Sequence, residues 1–530
     1  MKRPNKETKR GRERKRLHLH EDLPRGRHES FVGVPPHSHF ELPENVVATE
    51  SLRFNADGNP EAKRFLGVIG GECVPGPRLR DGRTTRYVVG GAPIGIGDDR
   101  HLITMAGSRA GKGRQIIVPN IILAPRDASM LVIDPKGQNA SISARWRADG
   151  IGQKTGVLDP FGVSGCRTEP FRCVYNALDL LTRSDRRSFV PNAKLIADSL
   201  IVSGDFKDRH WDETAKQVLA GICALVATHE RYAGNRNLVT VWHLISELAA
   251  PDPNDPHRYW LEKQMLASDA AGGMIRNAAR GFYDRTGGEF SSVLSNLRKH
   301  TDWIGIECMA DCLAGDSIDL RDLKRDSMAL YVCLPAMRMS ELSGWLRLVV
   351  QMTLAAHEDE PDQHGPNTLA ILDEFNVLGS LSSIEVAAGQ IAGLGLNLWA
   401  IIQDLQQLQS KYPKSWETFI ANAGVLQAFG IADSASAEYL VKKLGLAPTL
   451  TRSTNSPSFD QASQQAATGE NWSLGTHPLM DAEEVCRFFG RDDHLQRQLI
   501  LRPGMRPMIC QRVCYDQHEL FRGKFDEESR

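Results

Sequence analysis

The stretch Met105-Ala106-Gly107-Ser108-Arg109-Ala110-Gly111-Lys112-Gly113-Arg114 has the residue pattern of a phosphate-binding loop. An apolar, strand-like run precedes it and a helix-compatible run follows it. In such a loop the backbone N–H groups surround a phosphate at the helix N-terminus, and the lysine reaches the β- and γ-phosphate oxygens. The residues from Ala106 to Arg114 are therefore the candidate nucleotide-binding residues, with an ordinary glycine turn between a strand and a helix as the alternative.

The loop departs from the usual pattern G-x-x-x-x-G-K-[ST] at two positions. Ala106 stands at the first glycine, and Gly113 stands where a serine or threonine hydroxyl normally binds Mg²⁺. Small residues still allow the tight turn, so we expect Lys112 and the backbone to bind phosphate. Mg²⁺ must then rely on other ligands.

A pair of acids, Asp373-Glu374, directly follows the apolar run Leu369–Leu372. If that run is a buried strand of a parallel sheet, both acids emerge at the strand edge where ligands bind. Asp373 would hold Mg²⁺, and Glu374 would be the base that orients and activates the attacking water. The alternative is a pair of acids that caps a strand, but together with the Lys112 loop the pair predicts a site for nucleotide hydrolysis.

Two further polar positions follow predicted strands. Gln403 ends the apolar run Leu398–Ile402, where a polar residue could sense the γ-phosphate, or could simply face solvent. With Lys112 and Glu374 it completes the candidate catalytic set. The charged turn Asp134-Pro135-Lys136 closes another strand; it could touch nucleotide, but a structural role in the turn is favoured.

Strand and helix signals alternate along most of the chain, which predicts an α/β fold with a mostly parallel central sheet. Strand-like runs dominate residues 61–186 and 319–515, the two parts of the predicted nucleotide-binding domain. Apolar residues recur at three- and four-residue spacing across 187–318, which predicts an all-α insertion domain. Residues 516–530 form a charged tail, and the Ser-, Thr-, Gln- and Asn-rich stretch from Thr449 to Thr476 is expected to be a flexible loop.

The N-terminal residues 1–60 are predicted to be a basic, unstructured arm, with order beginning near Ala62. Two interpretations stay open for this segment: a solvated tail, or a polybasic arm that binds nucleic acid or an anionic membrane. Its first part contains only two acids. The basic residues there are Lys2, Arg3, Lys6, Lys9, Arg10, Arg12, Arg14, Lys15 and Arg16.

Bulk composition excludes several classes of protein. The 530 residues are 41% hydrophobic and 24% charged, with a formal net charge of −1, which is typical of a globular protein without a preferred charged partner. The ten cysteines contain no C-x-x-C pattern, so a zinc site is disfavoured and a reducing compartment fits. No apolar run approaches the ~20 residues that span a bilayer; the best candidate, Trp345 to Ala356, is predicted to be a buried helix.

Several segments together resemble the coupling proteins of type IV secretion and conjugation, the TraG/TraD group. The resemblance covers about residues 85–515 and rests on motifs in a fixed order. These are the Ala106–Gly113 loop, Asp134-Pro135-Lys136-Gly137-Gln138, Tyr175-Asn176-Ala177-Leu178-Asp179, Leu372-Asp373-Glu374-Phe375, Ile391-Ala392-Gly393-Leu394-Gly395-Leu396, and Gln403.

The resemblance implies a RecA-like P-loop NTPase domain interrupted by an all-α domain, with ATP and Mg²⁺ as cofactors. It implies a homo-hexamer that moves single-stranded DNA, or a relaxase–DNA complex, into a type IV secretion channel at the bacterial inner membrane, with protein effectors as further cargo. The expected location is cytoplasmic, peripheral to that membrane. The alternatives are a double-stranded DNA pump of the FtsK/HerA kind, or a protein-cargo adaptor with weak or no ATPase activity.

Two features depart from the family pattern. Members usually begin with transmembrane helices, and this sequence shows none. The segment Ile391–Leu396 contains no arginine, although some relatives place a trans-acting arginine finger there. The finger is therefore unassigned, with Arg109, Arg114 and Arg347 as candidates.

Overall fold

The computed structural model describes residues 38–78, 84–202, 209–248, 256–285, 288–379, 391–455 and 469–527. The basic segment 1–37 lies outside the described residues, so both interpretations of it stay predictions. The chain divides into two compact units. The first comprises Met1–Ala124 and Ile401–Gly523, and the second comprises Pro125–Ala400 and Lys524–Arg530.

The strands, in chain order, are β1 Arg64–Ile69, β2 Glu72–Arg78, β3 Thr84–Val89, β4 Ala92–Ile96, β5 His101–Ala106, β6 Met130–Asp134, β7 Lys154–Leu158, β8 Met328–Cys333, β9 Thr368–Asp373, β10 Leu396–Ile402, β11 Ala423–Phe429, β12 Leu446–Asn455, β13 Gly469–Pro478, β14 Arg497–Leu501 and β15 Met508–Gln511.

The α-helices are Pro43–Ala48, Val118–Leu123, Gln138–Arg145, Asp179–Arg183, Phe189–Leu200, Arg209–Thr228, Leu238–Glu247, Pro256–Ala267, Met274–Tyr283, Gly288–Thr301, Glu307–Ala314, Asp322–Arg325, Ser343–Asp359, Leu405–Lys411, Trp416–Ala421, Ser434–Leu444 and Ala482–Phe488.

The sheet of the first unit follows the order β4-β1-β15-β14-β11-β5. Strands β5 and β11 are parallel, and the remaining pairs of this set are antiparallel. Every residue of β5 and of β11 is buried, which explains their nearly continuous apolar sequences. Strands β2 and β3 pair with each other as a separate two-stranded sheet.

A ladder of buried polar side chains crosses the sheet of the first unit. Thr104 Oγ1 donates to Gln427 Oε1 at 2.9 Å, and Gln427 Nε2 donates to Gln498 Oε1 at 2.6 Å. Gln498 Nε2 in turn donates to the carbonyl of Leu66. Because buried amides that lack partners are costly, this chain of bonds favours one register for β5, β11, β14 and β1.

The sheet of the second unit follows the order β10-β9-β6-β8-β7. Strand β6 is parallel to β8 and β9, and β7 is parallel to β8. The carboxyl ends of these parallel strands therefore share one edge. An α/β fold built around parallel strands is confirmed.

The predicted helical block lies inside the second unit. Between Asp179 and Arg325 all regular elements of the described residues are helical. In Arg209–Thr228 the apolar positions Val218, Leu219 and Ile222 are 2% exposed or less, as their spacing predicts. The predicted buried helix at Trp345 to Ala356 is confirmed, since Ser343–Asp359 is helical and buried along most of its length.

Residues 38–60 differ from the sequence prediction, which placed them in the unstructured arm. They contain the helix Pro43–Ala48, and Phe40, Val46 and Leu52 are 1% exposed or less. Val46 and Leu52 pack in a core with Ile94 of β4. The apolar residues of this short segment carry no periodic pattern, so the sequence alone did not indicate their burial.

The stretch from Thr449 to Thr476 also differs from its prediction as a flexible loop. Strands β12 and β13 pair antiparallel from Leu446 opposite Pro478 to Asn455 opposite Gly469. Residues 456–468 lie outside the described residues. Polar composition suggested a loop, yet threonine is well suited to a strand.

Length and apolar composition together decide whether a helix of the described part of the chain could span a membrane. None of its helices combines the length and the apolar composition needed to cross a bilayer.

Candidate nucleotide-binding site

The candidate loop begins where β5 ends. Ala106 is the last residue of this strand and is fully buried, opposite Phe429 of the parallel neighbour β11. The chain then turns tightly, with the Ala110 N–H donating to the Gly107 carbonyl at 3.2 Å.

Close backbone contacts hold the loop against the end of β11. A Cβ atom on Gly107 would lie 2.2 Å from the carbonyl oxygen of Gly430, and one on Gly430 would lie 2.4 Å from the Cβ of Ala110. Gly430 also has a φ of +65°, a conformation that glycine adopts without strain. Gly107, Ala110 and Gly430 therefore pack so tightly that a larger side chain at either glycine would clash.

The second half of the loop leads into a helix. Gly111 has a φ of +90°, and Lys112 is already helical as the residue before the first turn. The Gln115 N–H donates to the Gly111 carbonyl at 2.8 Å. The first turn, Gly113–Ile117, is a wide π-helical turn that continues into Val118–Leu123. This strand–loop–helix geometry leaves backbone N–H groups at a helix N-terminus, where phosphate binds.

The candidate arginines of the loop differ in their surroundings. Arg109 is exposed and has a φ of +57°, which is uncommon for a residue with a side chain. Arg114 donates to both carboxylate oxygens of Asp516 at 2.7 Å, so its guanidinium already has an acidic partner. Arg347 is only 6% exposed and donates to the carbonyls of Ser199 and Leu200, which disagrees with a role as a finger presented to another subunit.

Gln403 lies in the first unit, directly after β10. It is half-buried, and its backbone N–H donates to Gln407 Oε1 at 3.0 Å. Asp404 caps the helix Leu405–Lys411 by accepting the Gln407 N–H at 2.8 Å. The predicted position of Gln403 at a strand end is confirmed, while its role as a γ-phosphate sensor stays a prediction.

The acidic pair lies in the second unit, at the carboxyl end of β9. Asp373 is the last strand residue, and Glu374 begins the turn that follows with φ 71° and ψ 50°. Both residues are half-buried. A left-handed conformation is costly for a residue other than glycine, and such strain concentrates at functional positions. The left-handed conformation of Glu374 makes the backbone change direction immediately after β9, between the two acids.

Asp134 ends β6, a direct neighbour of β9 in the second unit. Its carboxylate accepts the Ala140 N–H at 2.9 Å and the Asn139 Nδ2 at 3.3 Å, and so closes the turn before the helix Gln138–Arg145. Burial, with a further contribution from the charge of Asp373, raises the pKa of Asp134 to about 7. These contacts support the structural interpretation of the Asp134 turn.

The donor groups fit a Mg²⁺ ion that arrives with its nucleotide. Within the described residues no group of three or more His, Cys, Asp or Glu side chains could hold a metal ion by itself. Mg²⁺ is commonly bound by one or two carboxylates together with phosphate oxygens and waters. Asp373 has one such carboxylate, and its role as a Mg²⁺ ligand stays a prediction. The backbone N–H groups at the start of the helical turn Gly113–Ile117 likewise suit a phosphate.

The first unit thus contains Lys112 and Gln403, and the second contains Asp373 and Glu374. That all four act on one nucleotide stays a prediction from the sequence. The structure adds three residues that sequence reasoning missed: Gly430, Arg512 and Asp516. Only Gly430, a glycine directly after strand β11, carried a local signal. The other two contact the loop from about 400 positions away.

A family model described as Type IV secretory system Conjugative DNA transfer matches residues 68–528, well over half of the chain. The chain belongs to this family. The resemblance to type IV coupling proteins is thereby confirmed.

Individual relatives agree with this membership. Protein VirD4 of Rhizobium radiobacter is 24% identical over 458 residues, which are 84% of this chain and 61% of VirD4. Conjugal transfer protein TraG of Escherichia coli is 26% identical over 468 residues, which are 83% of this chain and 70% of TraG. The match therefore spans 61% to 70% of the length of these relatives.

Solved structures of the coupling protein TrwB share the fold. A trigonal form of this bacterial conjugative coupling protein, in complex with sulphate, has a TM-score of 0.59 and 14% identity over 92% of this chain and 96% of that chain. TrwB in complex with ADP and Mg²⁺ has a TM-score of 0.57 and 13% identity over 91% and 96%. The RecA-like P-loop fold that the resemblance implied is confirmed.

Proposed function

We propose that this chain is an ATP-hydrolysing coupling protein that recruits DNA, or a relaxase–DNA complex, and translocates it into a type IV secretion or conjugation channel. Family membership supports the biological role. One observation carries the nucleotide part: β5 ends at Ala106, and the loop leads through Gly111, with a φ of +90°, directly into a helical turn whose N-terminal N–H groups suit a phosphate.

ATP binding rests mainly on the first unit. Lys112 neutralises the β- and γ-phosphates, and the N–H groups of the loop donate to phosphate oxygens. Since Gly113 has no hydroxyl, Asp373 would be the protein residue that holds Mg²⁺. When bound, Mg²⁺ neutralises charge on the phosphates as the terminal phosphoryl group leaves.

Glu374 and Gln403 act on the hydrolysis step. Glu374 accepts a proton from the attacking water and orients it toward the γ-phosphorus. Gln403 binds the γ-phosphate through its side-chain amide and so distinguishes ATP from ADP. Its backbone is held by the Gln407 side chain, which limits how far the strand end can move.

The proposed assembly follows from the family alone. It is a homo-hexamer at the cytoplasmic face of the bacterial inner membrane, in contact with secretion-channel components. Single-stranded DNA and a relaxase are its cargo, and protein effectors are a further class. TrwB has been solved with ADP and Mg²⁺ and with non-hydrolysable analogues of ATP and GTP, which supports nucleotide binding in this fold.

Substitution of Lys112 by alanine tests nucleotide binding. We expect Lys112→Ala to weaken ATP binding by about 100-fold, because a charge-assisted contact to the phosphates is lost. The exposed Lys411, in the same unit, supplies the matched control Lys411→Ala, which should bind ATP as the unaltered protein does. Equal ATP affinity of the two variants, measured by isothermal titration calorimetry, would contradict the proposal.

Substitution of Glu374 by glutamine separates binding from hydrolysis. Glu374→Gln should retain ATP but hydrolyse it about 100-fold more slowly, since the amide cannot accept the proton of the attacking water. The control Glu307→Gln changes an exposed glutamate in the first turn of a helix of the same unit and should leave turnover unchanged. Normal hydrolysis by Glu374→Gln would assign the base to another residue.

A further inference from the structure

Arg512 lies just after β15 and is buried beneath the candidate phosphate loop. The side chain is 1% exposed. Its Nη1 donates to the carbonyl of Ala110 at 2.9 Å and to Gln115 Oε1 at 3.0 Å. One guanidinium group therefore contacts both the loop and the first turn of the helix that follows it.

The positive charge of Arg512 is only partly compensated by its surroundings. Its Nε and Nη2 atoms are buried and have no hydrogen-bond partner among the described residues. The guanidinium carbon lies 4.5 Å from the centre of the Phe429 ring, a favourable but weak contact for a cation. Asp493 is the acid whose charge acts on Arg512, and both of its carboxylate oxygens already accept from Arg497.

A buried cation without a bonded anion costs free energy. That cost falls when an anion binds nearby, since Coulomb interactions are stronger in a poorly solvated interior than in water. The hydrogen bond from Arg512 Nη1 to the Ala110 carbonyl places the positive charge next to the backbone of the loop. A triphosphate bound at this loop would supply the missing negative charge.

The segment that contains Arg512 also contacts the start of the helix. The Tyr515 N–H donates to the Arg114 carbonyl at 3.2 Å, and Asp516 pairs with the Arg114 side chain. Gln115 Nε2 donates to Cys514 Sγ at 3.5 Å. Residues 512–516 thus contact the loop and the first helical turn at several points, which fixes the place of the Arg512 charge.

We propose that Arg512 is a positioning residue of the nucleotide site, which holds the Ala110 carbonyl and adds the positive charge that the bound triphosphate requires. The inference rests on the proposed function of the loop. It assigns part of the ATP affinity to a residue that lies 400 positions after Lys112 and outside the loop pattern.

Two substitutions separate charge from structure. Arg512→Gln removes the charge but keeps an N–H donor for the Ala110 carbonyl, whereas Arg512→Lys keeps the charge. We expect ATP affinity to fall about tenfold in the glutamine variant and to stay within about threefold in the lysine variant. Affinity is measured on the full chain with a fluorescent ATP analogue, and the thermal midpoint without nucleotide is recorded to follow folding.

Each outcome decides the matter. Unchanged affinity of Arg512→Gln, or an equal loss in both variants, would overturn the role of the charge. If the glutamine variant does not fold, the lysine variant decides alone: affinity within about threefold supports the proposal, and a tenfold loss contradicts it. Lys112→Ala is measured alongside. If the unaltered protein does not bind ATP, the proposed function is refuted. If Lys112→Ala loses ATP affinity but Arg512→Gln does not, only the inference about Arg512 is refuted.

Discussion

Replacement of Gly107 by alanine tests the contact that shapes the phosphate loop. The new Cβ atom would lie 2.2 Å from the carbonyl oxygen of Gly430. Ordinary contact requires the two atoms to separate by about 1 Å more. The nearest paired residues, Ala106 and Phe429, belong to neighbouring strands whose register is fixed by backbone hydrogen bonds. The displacement must therefore be taken up by the loop itself.

The magnitude follows from this overlap. Overpacking of a tight site costs about 1–3 kcal/mol of stability when backbone has to move. A hydrogen bond between an N–H and a phosphate oxygen tolerates only a few tenths of an ångström around 2.9 Å. A shift of about 1 Å in the loop should therefore break such bonds, and we expect ATP affinity to fall at least tenfold in Gly107→Ala.

Two assays on the same samples check the reasoning. Chemical denaturation gives the loss of stability, and calorimetric titration gives the ATP affinity. The matched control is Gly281→Ala, in an exposed part of the helix Met274–Tyr283, where an added Cβ meets nothing within 4 Å. That control should gain up to about 1 kcal/mol from helix propensity. Wild-type stability and ATP affinity in Gly107→Ala would refute the reasoning.

The remaining predictions concern groups away from the loop contact. Burial lowers the pKa of His357 to about 4, so the folded protein resists its protonation and should lose stability as pH falls from about 6.5 to 4; the change should be smaller in His357→Gln, measured by denaturation across that range. Removing the partly exposed ion pair with Arg114 by Asp516→Asn should cost less than about 1 kcal/mol, and a loss of several kcal/mol would contradict this. Arg347→Met should destabilise by about 2–4 kcal/mol, because backbone carbonyls lose a buried donor, but should leave ATP turnover per folded subunit unchanged. A specific loss of turnover in a stable Arg347→Met protein would restore Arg347 as a finger candidate.

The elements that local sequence patterns encode were predictable. Strand β5, the loop at Lys112 and the strand that ends at Asp373 combine an apolar run with a turn and a functional residue within about ten positions. The sequence pattern predicts each of these elements because nearby residues determine it. Burial on both faces requires an apolar strand, and a tight turn requires small residues.

Contacts between distant segments were not predictable. The Gly430 carbonyl excludes a side chain at Gly107, and the Arg512 side chain donates to the loop. The sequence pattern of the loop indicates neither contact. The hairpin of β12 and β13 was missed for a different reason: backbone pairing stabilises a polar sequence that composition alone assigns to a loop. The helix Pro43–Ala48 was missed because one short turn carries too few residues to show a period.

The most direct test of the account is the rate of ATP hydrolysis by the purified chain without DNA, with single-stranded DNA and with duplex DNA. The account predicts Mg²⁺-dependent hydrolysis that single-stranded DNA accelerates. Absence of hydrolysis under all three conditions would contradict the proposed enzyme, and acceleration by duplex DNA alone would contradict the proposed cargo.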